Sequence, residues 1–116
     1  MKAKTKERME DELNQLVLNS VQKILGNNLH CITLFGSRAR GDFAHDSDYD
    51  FFIITKHETM FGQDRSIYYS LSDYELDKGL VVCLHFEQKQ SFEKLLPVLP
   101  YYQNIRKEGI LLYGSW

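Results

Sequence analysis

Four residues near the middle of the chain have the types and spacing to handle a phosphorylated ligand. Gly36 and Ser37 end one short apolar run, and Asp48 and Asp50 begin the next, a single loop later. Glycine has no side chain, so an anion can approach its backbone closely. Successive N–H groups in such a turn, followed by a helical turn, form an anion-binding nest. Ser37 adds a hydroxyl donor, and Arg40 a planar guanidinium that matches phosphate geometry. Asp48 and Asp50 are two positions apart on an expected strand, so both project from the same face. Carboxylates that close repel each other unless a cation sits between them. Magnesium suits the pair, being a hard ion that takes one or two carboxylates together with phosphate oxygens.

Blander readings exist for each of these residues. The aspartates could be exposed turn acids. Arg38 and Arg40 could pair at the surface with Asp42 and Asp46, where such pairs contribute about 0–1 kcal/mol. His45 reads as a solvated loop residue, and His85 as a satisfied strand histidine rather than a catalytic group. Tyr68, Tyr69, Tyr74, Tyr101 and Tyr102 read as core and helix packing. The Gly-Ser turn placed before the acid pair decides in favour of a ligand site.

The elements around these residues must position them. Leu13, Leu16, Val17, Val21, Ile24 and Leu25 recur at helical spacing, which predicts a helix from Lys4 to Leu25, stopped by Gly26-Asn27-Asn28. Cys31 to Phe35 reads as a strand. Gly36 to Ser47 reads as a loop with a helical turn around Arg38-Ala39-Arg40. Asp48 to Thr55 reads as a second strand, whose Phe51 to Ile54 would anchor the acid pair in the core. A helix is expected from Gln63 to Asp77, with Ile67, Tyr68, Leu71, Tyr74 and Leu76 as its apolar positions. A third strand follows from Leu80 to Phe86, then a short helix from Ser91 to Leu96, cut off by Pro97 and Pro100. A last helix spans Tyr101 to Lys107, and a short apolar tail runs from Ile110 to Tyr113. Strands joined by so short a loop can pair antiparallel. The fold class is α+β: a single domain, residues 1–116, with a small antiparallel or mixed sheet covered by helices.

Composition sets the limits. The chain has 116 residues, 43% hydrophobic and 26% charged, which suits one globular domain with a core of its own. A formal net charge of −2 argues against an extended nucleic-acid surface but leaves room for a local phosphate site. Cys31 and Cys83 lie far apart, in no metal-ligand spacing, and read as reduced thiols. The charged segment from Met1 to Glu12 is no signal peptide, and no apolar run approaches the ~20 residues of a membrane span. A cytoplasmic protein is expected.

Gly36-Ser37-Arg38-Ala39-Arg40-Gly41 followed by Ser47-Asp48-Tyr49-Asp50, in a strand–loop–strand setting, resembles the polymerase-beta nucleotidyltransferase superfamily and its minimal nucleotidyltransferase (MNT) branch. The stretch from Pro100 to Tyr113 resembles the tail of that branch. The resemblance implies transfer of a nucleoside monophosphate from a nucleoside triphosphate, ATP above all, to an acceptor hydroxyl. It implies catalytic and metal roles for Asp48 and Asp50 with Mg2+, and nucleotide binding by Gly36, Ser37 and Arg40. Members of this size resemble the nucleotidyltransferase halves of toxin–antitoxin gene pairs, whose other half is a helical HEPN protein. A partner of that kind is expected here, either as acceptor or simply as a bound protein. The sequence departs from the family at one point. Active members place a third carboxylate on a neighbouring strand, whereas Val81, Cys83 and His85 share that strand's face here, and Glu87 lies at its end. The alternative function is therefore a weak or inactive nucleotide-binding module that acts by binding its partner.

Overall fold

The structure, a computed structural model, describes residues 2–41 and 48–116, with side chains from Asp11 onward. Helix α1 spans Lys2–Leu25 and a 3-10 turn follows at Gly26–Asn28. Strand β1 (Leu29–Phe35), the single turn α2 (Ser37–Arg40) and strand β2 (Tyr49–Thr55) form the expected strand–loop–strand unit. Next come α3 (Gln63–Lys78), β3 (Val82–Gln88), α4 (Lys89–Leu95), α5 (Pro100–Glu108) and β4 (Ile110–Gly114). The apolar tail is thus an edge strand, which the sequence reading did not assign.

The four strands lie in the order β3-β2-β1-β4. β1 pairs antiparallel with β2 on one side and with β4 on the other, while β2 and β3 run parallel. A parallel pair needs a crossover, and α3 supplies it. The mixed α+β architecture agrees with the expectation.

Strand alternation divides the core into two layers. On one face Ile32, Leu34, Phe51, Ile53 and Leu84 meet Leu13, Val17 and Val21 of α1 and Ile67 and Leu71 of α3. Complete burial of side chains such as Phe51 and Ile53 contributes roughly 1.5–3 kcal/mol each, the main force holding the sheet. Tyr68 of α3 adds a polar tie, its hydroxyl accepting from the Leu84 N–H at 2.9 Å. Leu76 departs from its assigned role: it is 83% exposed, because α3 turns its Ile67–Leu71 stripe to the sheet and leaves Leu76 outside. On the other face Cys31, Phe35, Phe52 and Ile54 pack against Phe92 of α4 and Tyr102 and Ile105 of α5. Among the described residues no helix is long and apolar enough to cross a membrane.

The register brings three strand ends together. Phe35 at the end of β1 opposes Asp50 near the start of β2, and Asp50 in turn neighbours Cys83 near the start of β3. Whatever follows Phe35 therefore meets whatever begins β2 and β3, at the edge of the face that α4 and α5 cover.

Candidate functional site

Gly36 joins β1 to α2 with φ 76° and ψ −158°, a region essentially restricted to glycine. A second constraint acts on the same residue. A Cβ at position 36 would lie 2.9 Å from Asp50 Oδ2. The missing side chain is what lets the β1–α2 turn sit directly against the Asp50 carboxylate. Gly36 also starts the turn, its carbonyl accepting from the N–H groups of Ala39 and Arg40, both at 3.1 Å. Ser37, the next residue, is the first of α2.

This geometry yields a test. Gly36→Ala is expected to cost about 1–3 kcal/mol in backbone strain, read from the urea midpoint, and to displace Asp50 as well. Gly41, with φ 81° and, among the described residues, nothing within 4 Å of an added Cβ, serves as control. Gly41→Ala strains the backbone without touching the acid pair. Equal effects of both substitutions on ligand binding at the site would refute the Gly36–Asp50 contact.

Asp48 is exposed and lies just before β2, while Asp50 is half-buried within it. Each carboxylate meets a side chain of β3. The Cys83 thiol donates to Asp48 Oδ2 at 3.6 Å, and His85 Nε2 lies 3.3 Å from Asp50 Oδ1. Burial, followed by the charges of Asp48 and Asp50, pushes the Cys83 thiol up from its ordinary range, so it remains a protonated donor. The face of β3 turned toward the site carries Cys83, His85 and Glu87. Glu87 neighbours Ile54 rather than Asp50 and accepts a 2.6 Å hydrogen bond from Tyr102. That bond and burial push the Tyr102 phenol up to about 12, burial being the larger cause. The side chain on β3 that touches Asp50 is therefore an imidazole.

Phe35 forms the floor, with His85 edge-on at 5.1 Å and Tyr101 edge-on at 6.0 Å. A cavity of about 190 Å3 opens here, lined by Phe35, Gly36, Arg40, Tyr101, Asn104 and Glu108 among others. Burial, then the Asp50 charge, raises the Tyr101 phenol. Tyr101, expected in core and helix packing, is instead about half-exposed and within reach of the Asp50 charge, while its neighbour Tyr102 does enter the core. No signal in the sequence separates the two; the direction in which α5 docks decides. Arg40 lines this cavity and pairs with Glu108 of α5 at 3.4 Å, both side chains about two-fifths exposed. Arg38 points elsewhere, its guanidinium 4.2 Å from the centre of the Tyr49 ring. The pairings of Arg38 and Arg40 with Asp42 and Asp46, and the reading of His45, fall outside the described residues.

The structure thus sets Gly36 against Asp50, with Ser37 following Gly36 in the chain, Asp48 just before β2, and Gly36 and Arg40 lining one cavity. Among the described residues, no three His, Cys, Asp or Glu side chains converge as a ready metal cluster.

Similarity to known proteins follows the same lines. The family model described as Polymerase beta, Nucleotidyltransferase matches residues 19–115. No curated protein matches the chain in sequence. Among solved structures, a toxin–antitoxin complex with AMP-PNP aligns at 20% identity and a TM-score of 0.50, over 84% of this chain and 73% of that one. A MntA–HepT toxin–antitoxin complex aligns at 21% identity and a TM-score of 0.45, over 87% and 73%. A complex of a tri-AMPylated Shewanella oneidensis HEPN toxin with an MNT antitoxin aligns at 21% identity and a TM-score of 0.45, over 88% and 73%. At these identities the likeness is one of fold.

Proposed function

Because the chain belongs to the polymerase beta nucleotidyltransferase family, we propose that it binds a nucleoside triphosphate, ATP above all, and transfers its nucleoside monophosphate slowly to a hydroxyl of a partner protein. The observation that carries this reading is the contact of Gly36 with Asp50, which sets the phosphate turn against the acid pair.

The residues divide the work. Gly36 leaves room for the β- and γ-phosphates, and the Ser37 hydroxyl donates to them. Arg40 reaches the phosphates by leaving Glu108, an exchange that costs little because the pair is half in solvent. Asp48 and Asp50 are hard oxygen donors of the kind that would hold magnesium together with phosphate oxygens. Bound there, magnesium would neutralise charge on the α-phosphate and the departing pyrophosphate. In the transfer an acceptor oxygen bonds to the α-phosphorus, the bond from that phosphorus to the bridging oxygen breaks, and pyrophosphate leaves. The hydroxyl proton passes to solvent. Most of the acceleration comes from positioning and charge.

The slow rate rests on β3. His85 occupies the position beside Asp50, and Glu87 is held by Tyr102 further along the strand. General-base assistance supplies typically 10²–10⁴-fold, and among the described residues of β3 no carboxylate stands beside Asp50 to give it. The acceptor is a helical HEPN-type protein encoded beside this one, in a toxin–antitoxin pair; the complex with AMP-PNP is a precedent for the fold in that setting. Binding of the partner would persist without transfer.

The test is incubation with labelled ATP, magnesium and that neighbouring product, followed by mass spectrometry of both proteins. A substoichiometric, slowly growing nucleotide adduct on the partner is expected. Rapid stoichiometric labelling that survives His85→Ala and Glu87→Gln would overturn the slow-transfer reading. Failure to bind ATP at all would overturn the site.

A further inference from the structure

We propose that a second cavity, at the opposite end of the same sheet face, binds a small organic anion with a flat aromatic body, such as an aromatic carboxylate. The cavity has a volume of about 200 Å3 and lies between the start of β1, the end of β2, α4 and α5. It is large enough for roughly six waters at about 30 Å3 each. None of its lining residues belongs to the acid-pair site, so the proposal does not depend on nucleotidyl transfer.

Two features define the ligand. One wall is aromatic: Phe92 and Trp116 both line it, their rings stacked on each other at 5.7 Å with planes 22° apart. The polar side is cationic. Lys89 and Arg106 line the cavity, and the one acidic side chain among the lining residues, Glu93, pairs with Lys89 at 3.8 Å. Among the described residues Arg106 has no carboxylate within ion-pair distance. A guanidinium in that state favours a bidentate carboxylate.

His30 and Ile54 complete the lining at the sheet. A ligand carboxylate in the cavity would meet Arg106 while the ring of the ligand lies against the aromatic wall. Inorganic phosphate has the charge without the flat body, so the shape of the wall selects against it. Helix α5 serves both sites, with Arg106 here and Tyr101 at the acid pair.

The test is an NMR titration of the full chain, labelled with 15N, using indole-3-acetate and its neutral analogue indole-3-acetamide. Saturable shifts of the Trp116 indole N–H and of the His30 and Phe92 amides are expected, with the acid bound about tenfold more tightly than the amide. Arg106→Gln, an exposed substitution that leaves the core untouched, should bring the acid down to the level of the amide; Lys89→Gln provides a second check. Equal affinity for acid and amide, indifference of the acid to Arg106→Gln, or no saturable shift at these signals would overturn the proposal.

Discussion

Titrated calorimetrically with ATP and magnesium, the chain carrying Asp48→Asn and Asp50→Asn is expected to give no metal-dependent heat, whereas the wild type gives a saturable one. The two carboxylates are the chain's own charged oxygen donors at the head of β2. Asparagine keeps their size and removes their charge, and a neutral amide binds a hard dication far less well than a carboxylate does. Loss of a hydrogen bond to a charged group alone costs about 1.5–3 kcal/mol, and two carboxylates are lost. A fall in affinity of at least two orders of magnitude is therefore expected. Folding should survive, because Asp48 is exposed and Asp50 is only half-buried. Removing both charges also relieves their mutual repulsion, so the apo protein should melt no lower than the wild type. Equal heats from wild type and double variant would sink the assignment of the site, whatever the family.

The second large effect concerns position 85. His85→Asp places a third carboxylate on β3 next to Asp50, whose Oδ1 now lies 3.3 Å from the imidazole Nε2. Without a cation, three acids crowd one edge of the sheet, and thermal stability should fall. With magnesium the order should reverse, because a ligand that binds only the folded state stabilises it by an amount that grows with its concentration over Kd, about 2.7 kcal/mol at a hundredfold excess. The variant should show a larger magnesium-dependent rise in Tm than the wild type. Nucleotide transfer to the partner should increase as well, toward the 10²-fold lower end of general-base assistance. Two measurements separate the causes: differential scanning of the protein alone reports the cation, and mass spectrometry with the partner reports the chemistry. A magnesium response identical to that of the wild type, together with an unchanged rate, would show that position 85 does not belong to the site.

The residues that gather at the site were legible because each carries a local constraint. Gly36 is dictated by a backbone conformation, and Asp48 and Asp50 by a two-residue period on a strand whose next four residues are all buried. The helix stripe from Leu13 to Leu25 was legible for the same reason, since one period repeats over several turns. Contacts between distant segments were not. That His85 touches Asp50 follows from the parallel register of β2 and β3, a property of the crossover rather than of either strand. That Tyr101 is half-exposed within reach of the Asp50 charge while Tyr102 is buried depends on how α5 docks. β4 escaped notice because its apolar residues do not alternate: Ile110, Leu111 and Tyr113 are all exposed, and what makes the segment a strand is the open edge of β1. β3 begins at Val82, opposite Tyr49, and the carbonyl of Val81 accepts the first ladder bond from the Tyr49 N–H at 2.9 Å.

That pairing of β1 with β4 also bears on how the chain acquires its structure. β1 lies inside the sheet, yet one of its two partners is drawn from residues Ile110–Gly114, with Cys31 opposite Gly114. The antiparallel unit of β1 and β2 joins segments that are near in sequence and can form early. The outer seam must wait until nearly the whole of the intervening chain has been made and gathered in. The penalty for closing so long a loop is modest at equilibrium, since each doubling of length adds only about 0.6 kcal/mol. It is larger in time, because folding slows as contacts become less local. During synthesis the strand that ends at the phosphate turn would spend a period with one side unpaired, exposing N–H and C=O groups that favour strand addition by another molecule. Nascent copies would therefore be most prone to cross-associate just before residue 110 emerges.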